Sequence, residues 1–127
     1  MTRDTEGDVN GERAVRASQA AEEARRRGAE PHLVDGTALR SKRDALDAIA
    51  RALSFPSYFG HNLDALYDSL TDLSWLPDTE HVLIWSHHRV LAQHDPAAYQ
   101  GIRAVLDDAV AEAGRHGRRL TVVLTDD

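Results

Sequence analysis

HVLIW, residues 81–85, is the stretch on which the fold turns. Val82, Leu83, Ile84 and Trp85 follow one another without the polar alternation of a strand that has one wet face. A near-continuous apolar run of this length, rich in β-branched and aromatic residues, reads as a strand covered on both faces. Strands of that kind belong to parallel sheets flanked by helices, so helices should precede and follow it, and its partners should lie one crossover away.

Upstream, Leu63, Leu66, Leu70 and Leu73 recur at helical spacing behind Asn62, a good N-cap. At about 100° per residue, Asp64, Asp68 and Asp72 fall nearly opposite that stripe, with Tyr67 on the border. A loop carrying Tyr58, Phe59 and Gly60 comes before, and Phe55-Pro56 ends the helix that precedes it. That helix spans 41–53, with Ala45, Leu46, Ile49, Ala52 and Leu53 as its apolar face and Ser41 and Asp44 resembling a capping box. His32-Leu33-Val34 reads as a short strand and Asp35-Gly36 as a turn. Downstream, residues 87–93 suit a short helix. Pro96 opens a longer one, with a stripe of Ile102, Val105, Leu106, Ala109, Val110 and Ala113 that runs to about Arg115, before Gly117. Leu120 to Leu124 is the last strand. The order is β-α-α-β-α-α-β, an α/β class with a small three-stranded parallel sheet flanked by helices.

The N-terminal part reads differently. Residues 1–12 are polar, with Gly7 and Gly11, and suit a disordered tail. Residues 13–27, RAVRASQAAEEARRR, are rich in helix formers, and Gly28 is a natural stop. The apolar side of that helix is mostly alanine and can bury little. The expectation is an extension over 1–30, partly disordered or helical and packed loosely or not at all, followed by a domain over 31–127. Deleting residues 1–29 should then leave the fold intact.

A chain of 127 residues suits one domain. Hydrophobic residues at 42% and charged residues at 28% place it among soluble globular proteins. No apolar run approaches the ~20 residues of a membrane span, and the first residues lack an apolar signal core. A cytoplasmic location is expected. With no cysteine, disulfides, thiolate nucleophiles and cysteine metal sites are excluded. The net charge of −6 argues against nucleic acid or an anionic membrane as partner. Between Arg51 and Arg89 there is no Lys or Arg, while Asp64, Asp68, Asp72, Asp78 and Glu80 supply −5 of the net −6. Such asymmetry suggests a cationic partner surface, with a solvated acidic face as the other reading.

Enzymatic motifs are missing: there is no Walker loop, no GxGxxG and no GxSxG. A small metal-dependent hydrolase would have to use His61 with Asp64 and Asp68, and no HExxH or comparable spacing supports it. No metal, cofactor or catalytic residue is therefore expected. His87-His88 read as surface residues, and Trp75 and Trp85 as core aromatics. Tyr58 and Phe59 either contact a partner or seal the loop onto the core, and Gly60 serves backbone geometry. What remains is a binding surface of carboxylates beside aromatics, the usual make-up of interface hot spots.

The run Pro56-Ser-Tyr58-Phe-Gly60-His-Asn62-Leu63-Asp64-Ala-Leu66-Tyr-Asp68-Ser-Leu70-Thr71 resembles the signature of the barstar family, the intracellular inhibitors of barnase-type ribonucleases. That pattern is a proline, two aromatics, Gly, any residue, Asn-Leu-Asp-Ala-Leu, an aromatic, Asp, then Ala-Leu-Thr. More weakly, the resemblance runs from Leu33 to the final strand. It implies a three-stranded parallel sheet with helices around it, and a loop and second helix that plug the ribonuclease active site. By motif position, Tyr58 resembles the aromatic that packs on the catalytic region. Asp64 and Asp68 resemble the inhibitory aspartates, Asp68 reaching the phosphate pocket. Thr71 would sit at the edge, and Glu112 matches the family's acidic residue on the last helix. The expected partner-binding set is Tyr58, Phe59, Gly60, Asn62, Asp64, Tyr67, Asp68, Thr71, Asp72 and Glu112; Asp78 and Glu80, on the loop beyond the helix, are expected to act as rim charges. The implied partner is one basic, extracellular-type ribonuclease or nuclease toxin per inhibitor, and the free protein would be a monomer. Tyr67, Asp72 and Leu73 depart from the Trp, Gly and Trp of the best-known member. A plain interaction module for another basic protein is the alternative.

Overall fold

A computed structural model describes residues 16–127. The expected tail at 1–12 and the first residues of the helix expected at 13–27 lie outside the described residues. The central apolar run is β2 (His81–Ser86), the middle strand of a parallel sheet between β1 (Glu30–Asp35) and β3 (Leu120–Leu124). Its five residues His81 to Trp85 are all buried. Side chains alternate across a strand, so Leu83 and Trp85 enter the main core while Val82 and Ile84 point to the opposite face.

The main face is covered by α2 (Lys42–Ala52), α3 (Leu63–Asp72), α4 (Arg89–His94) and α5 (Pro96–Arg115). Their starts follow the capping chemistry in the sequence. Ser41, Asn62 and Asp95 each accept a hydrogen bond from the backbone N–H three residues on, at 3.1, 2.8 and 3.1 Å. Leu46, Ile49, Leu66, Leu70, Ile102 and Leu106 are fully buried together. Between β1 and α2, Gly36 opens a 3-10 turn, Gly36–Ala38. A Cβ on Gly36 would come within 2.3 Å of the Ser86 carbonyl oxygen, so only glycine fits beneath the end of β2.

The other face corrects one expectation. Residues 17–26 form α1 (Ala17–Arg26), which packs on the sheet rather than lying loose. Ala20, Ala21 and Ala24 are buried against Val82 and Ile84, with Val123 beside them. The alanine face is small, but it covers Val82 and Ile84, which are 1% and 0% exposed. The helix is fastened at both ends. The Ala17 N–H donates to Asp127 at 3.0 Å, and Arg27, just past the helix, forks onto Glu80 at 3.0 and 2.9 Å.

Glu80 therefore also departs from its expected place on the rim. Its side chain is buried, and its carboxylate also accepts from the Thr121 hydroxyl at 2.8 Å. The Arg27 fork holds its pKa down, from 4.5 to about 2, against the opposing effect of burial and with further help from Thr121. The element order is α-β-α-α-β-α-α-β, the expected pattern preceded by one docked helix.

Candidate functional site

The acidic ridge stands where the heptad-like arithmetic of α3 puts it. Leu66 and Leu70 are buried, whereas Asp64, Asp68 and Asp72 are exposed. Helix α3 is held by packing against α5, where Leu63 rests over Gly101: a Cβ on Gly101 would sit 3.2 Å from Leu63 Cδ1. No salt bridge to the carboxylates of Asp64 or Asp68 forms among the described residues. One cation does reach the ridge's C-terminal end. The Arg118 guanidinium donates to the Asp72 backbone carbonyl, one of the carbonyls left over at the helix end. Leu73 closes the helix in the left-handed region at φ 48° and is buried, so it serves the core.

The loop before the ridge divides its two aromatics. Tyr58 is 79% exposed and, among the described residues, is one of two large apolar-bodied side chains standing free of the core. Phe59 turns inward, edge-on to Phe55 at 4.9 Å and in the main core. Phe59 is buried, as the sealing alternative expects. Gly60 has no left-handed φ. It is crowded instead, since a Cβ would lie 3.2 Å from Asn62 Nδ2, which donates to the Gly60 carbonyl at 3.2 Å. Asn62 is engaged on both sides, capping α3 through its oxygen and bracing the loop through its nitrogen.

Tyr67 is half-buried against the core. Thr71 donates its hydroxyl back to the Tyr67 carbonyl at 2.9 Å, which leaves its oxygen as an acceptor. Glu112, on α5, is already occupied. Arg115 first and His116 second donate to its carboxylate at 2.6 and 2.7 Å, and both hold its pKa down. Of the expected set, Tyr58, Asp64, Asp68 and Asp72 are exposed, and Tyr67 is half-buried. Phe59, Gly60 and Asn62 shape the loop.

One supporting residue escaped the sequence reading. His61 lies in the left-handed region at φ 53°, and its Nδ1 sits 2.7 Å from Asp47 Oδ1 on α2. This is an ion-pair distance without hydrogen-bond alignment. The contact ties the loop to α2 across a gap in sequence that no spacing rule reveals. His61 is thus paired with a carboxylate of α2, Asp47, and not with one of the ridge.

Comparison with known families matches residues 29–125 to the family model described as Barstar (barnase inhibitor). The chain belongs to the barstar family. The match spans everything from β1 to β3, and the observed sheet and helices are those of a barstar-like α/β fold. Helix α1 precedes the matched segment. No helix among the described residues is long and apolar enough to cross a membrane.

Proposed function

We propose that this barstar-family protein inhibits a basic ribonuclease or nuclease toxin, one to one, by inserting α3 and the Tyr58 loop into its cationic active site. The observation that carries this reading is the pair of unsatisfied carboxylates on a rigid helix. Asp64 and Asp68 project one turn apart, with no cation of the described chain against them. A ribonuclease site gathers Arg, Lys and His to stabilise a phosphate with developing charge. A carboxylate held there accepts the same charge-assisted hydrogen bonds without presenting a scissile bond. The protein is an inhibitor and catalyses nothing.

The division of labour follows from exposure. Asp68, mid-helix, enters the phosphate pocket; Asp64 pairs with cations at its mouth; Tyr58 covers the catalytic region and excludes water. Tyr67 and Thr71 frame the contact, and Asp72 and Asp78 supply field at the rim. Glu112 joins only if the partner draws it away from Arg115 and His116. The test is inhibition of a panel of basic ribonucleases by the whole protein. A one-to-one end point with at least one of them is expected. Binding to a basic protein without loss of nuclease activity would favour the interaction-module reading instead.

A further inference from the structure

Away from the acidic helix, three ligand-type side chains converge at the N-terminal end of the sheet. Glu30 and His32 lie two residues apart on β1 and so share a face, and Glu30 is paired in register with His81 on β2. Their donor atoms all lie within 4.8 Å of one another. His32 Nε2 is 2.9 Å from His81 Nδ1, and that same Nδ1 is 3.6 Å from Glu30 Oε1.

The hydrogen bonds on the far sides of the rings decide what this means. His32 Nδ1 faces the Ala52 carbonyl at 3.2 Å, and His81 Nε2 faces the Pro77 carbonyl at 2.8 Å. A carbonyl oxygen only accepts, so each of those nitrogens carries the ring's hydrogen. In two neutral imidazoles the nitrogens that face each other then both present lone pairs. Two acceptors at 2.9 Å repel unless something positive lies between them. Backbone carbonyls that fix the tautomer of a histidine from behind are the usual supports of a metal-ligating imidazole.

We propose that Glu30, His32 and His81 form a binding site for a divalent cation of the zinc class. Two imidazoles and one carboxylate are a known zinc ligand set, with bonds of about 2.0–2.2 Å, which puts neighbouring ligand atoms about 3.3 Å apart around a tetrahedral ion. The spacings of 2.9 and 3.6 Å bracket that value. The third spacing, between Glu30 and His32, lies within 4.8 Å, so the Glu30 carboxylate swings inward to close the site. Glu30 is half exposed, which gives the ion a path in and leaves the fourth position to water. Bound there, the ion clips β1 to β2 beneath the end of α2 and the segment around Pro77. It stands apart from Asp64, Asp68 and Tyr58, so it acts on the stability of the scaffold and not on contact with a nuclease.

The test is calorimetric titration of the full chain with Zn²⁺ alone at about pH 7.5, where an unperturbed imidazole is neutral. One site is expected, with the imidazole nitrogen resonances of His32 and His81 both shifting on binding. Glu30→Gln changes an exposed carboxylate and leaves the fold standing; it should weaken Zn²⁺ about tenfold. His32→Gln, checked for folding by circular dichroism, should abolish the site. An isotherm unchanged in Glu30→Gln, or Zn²⁺ binding that moves only exposed histidines such as His116, overturns the proposal. So does the absence of heat with both resonances unmoved, which would mean that a shared proton holds the rings together.

Discussion

At the scale of single residues, the carboxylate proposed to serve a partner, Asp68, differs from one that serves the fold, Glu80, and the two lie within twelve positions of each other. Asp68 is exposed and has no cationic partner among the described residues. Neutralising it relieves like-charge repulsion along the ridge, worth about 0.2–0.5 kcal/mol per pair. Asp68→Asn should therefore leave the free protein as stable as before or slightly more so, read from denaturant midpoints. Glu80 is buried against Arg27 and Thr121, and its loss leaves a fork of donors and a cation without their acceptor. Glu80→Gln should cost about 1–3 kcal/mol. Because the folded pKa is depressed, to about 2 from 4.5, the stability from Glu80 is fully present above about 4.5 and is lost as pH falls towards 2. Acid titration of the unfolding free energy should show a steeper decline in that window for the wild type than for Glu80→Gln. Nothing in the local sequence separates these two acids, since Glu80 sits in a polar loop beside Asp78 and its partners lie 53 and 41 residues away.

Elements divide along similar lines. Asn62 caps α3 and braces the loop, so Asn62→Ala should cost about 1 kcal/mol of stability and weaken nuclease binding by loosening the angle at which Tyr58 and Asp64 are presented. Comparing the capped and uncapped proteins by melting and by inhibition separates the two effects. Truncation before Glu30 was expected to be harmless; with α1 docked it uncovers Val82 and Ile84, each worth roughly 1.5–3 kcal/mol when fully buried, and removes Arg27 from Glu80. A loss above about 2 kcal/mol is now expected, and a truncated chain that melts like the whole would show α1 to be dispensable. The two cases mark what a sequence reveals about elements. Helices α2, α3 and α5 and strands β2 and β3 were legible from period and caps, because their apolar faces are large and local. Helix α1 was legible as a helix but not as a packed one. Its alanines signal little burial, and what they cover lies some sixty residues downstream. At the site, the motif pointed to Tyr58, Asp64 and Asp68, and the i,i+3 and i,i+4 spacing of Arg115 and His116 from Glu112 was open to a local reading, while the inward turn of Phe59 and the His61–Asp47 tether depend on tertiary contacts with no local signature.

For the whole molecule, the charge map and the rigid ridge together specify how association should behave. The acidic stretch between Arg51 and Arg89 has no Lys or Arg of its own; Arg118 reaches the Asp72 backbone carbonyl and Arg27 pairs with Glu80, which leaves Asp64, Asp68, Asp72 and Asp78 as the exposed carboxylates. A field of that shape steers a basic partner, so the association rate should fall steeply as ionic strength rises, while the dissociation rate, set by desolvated contacts, should change little. Barnase–barstar is itself among the standard examples of charge-steered association, and the magnitudes known there are not a result of the geometry described for this chain. Asp78, exposed beyond α3, should behave as a rim charge and alter mainly the association rate. Glu80 no longer belongs with it.

The most direct test of the central claim is a stoichiometric titration of a barnase-type ribonuclease with the wild-type protein, with Asp68→Ala and with Asp78→Ala, followed by dissociation kinetics. The account predicts a one-to-one end point for the wild type. For Asp68→Ala it predicts a loss above about 2 kcal/mol, or roughly thirtyfold in affinity, carried mostly by faster dissociation, and for Asp78→Ala a small loss carried by slower association. Equal and small effects from the two substitutions, with the wild type still inhibiting, would contradict it, because the ridge would then supply only a diffuse field and Asp68 would occupy no pocket.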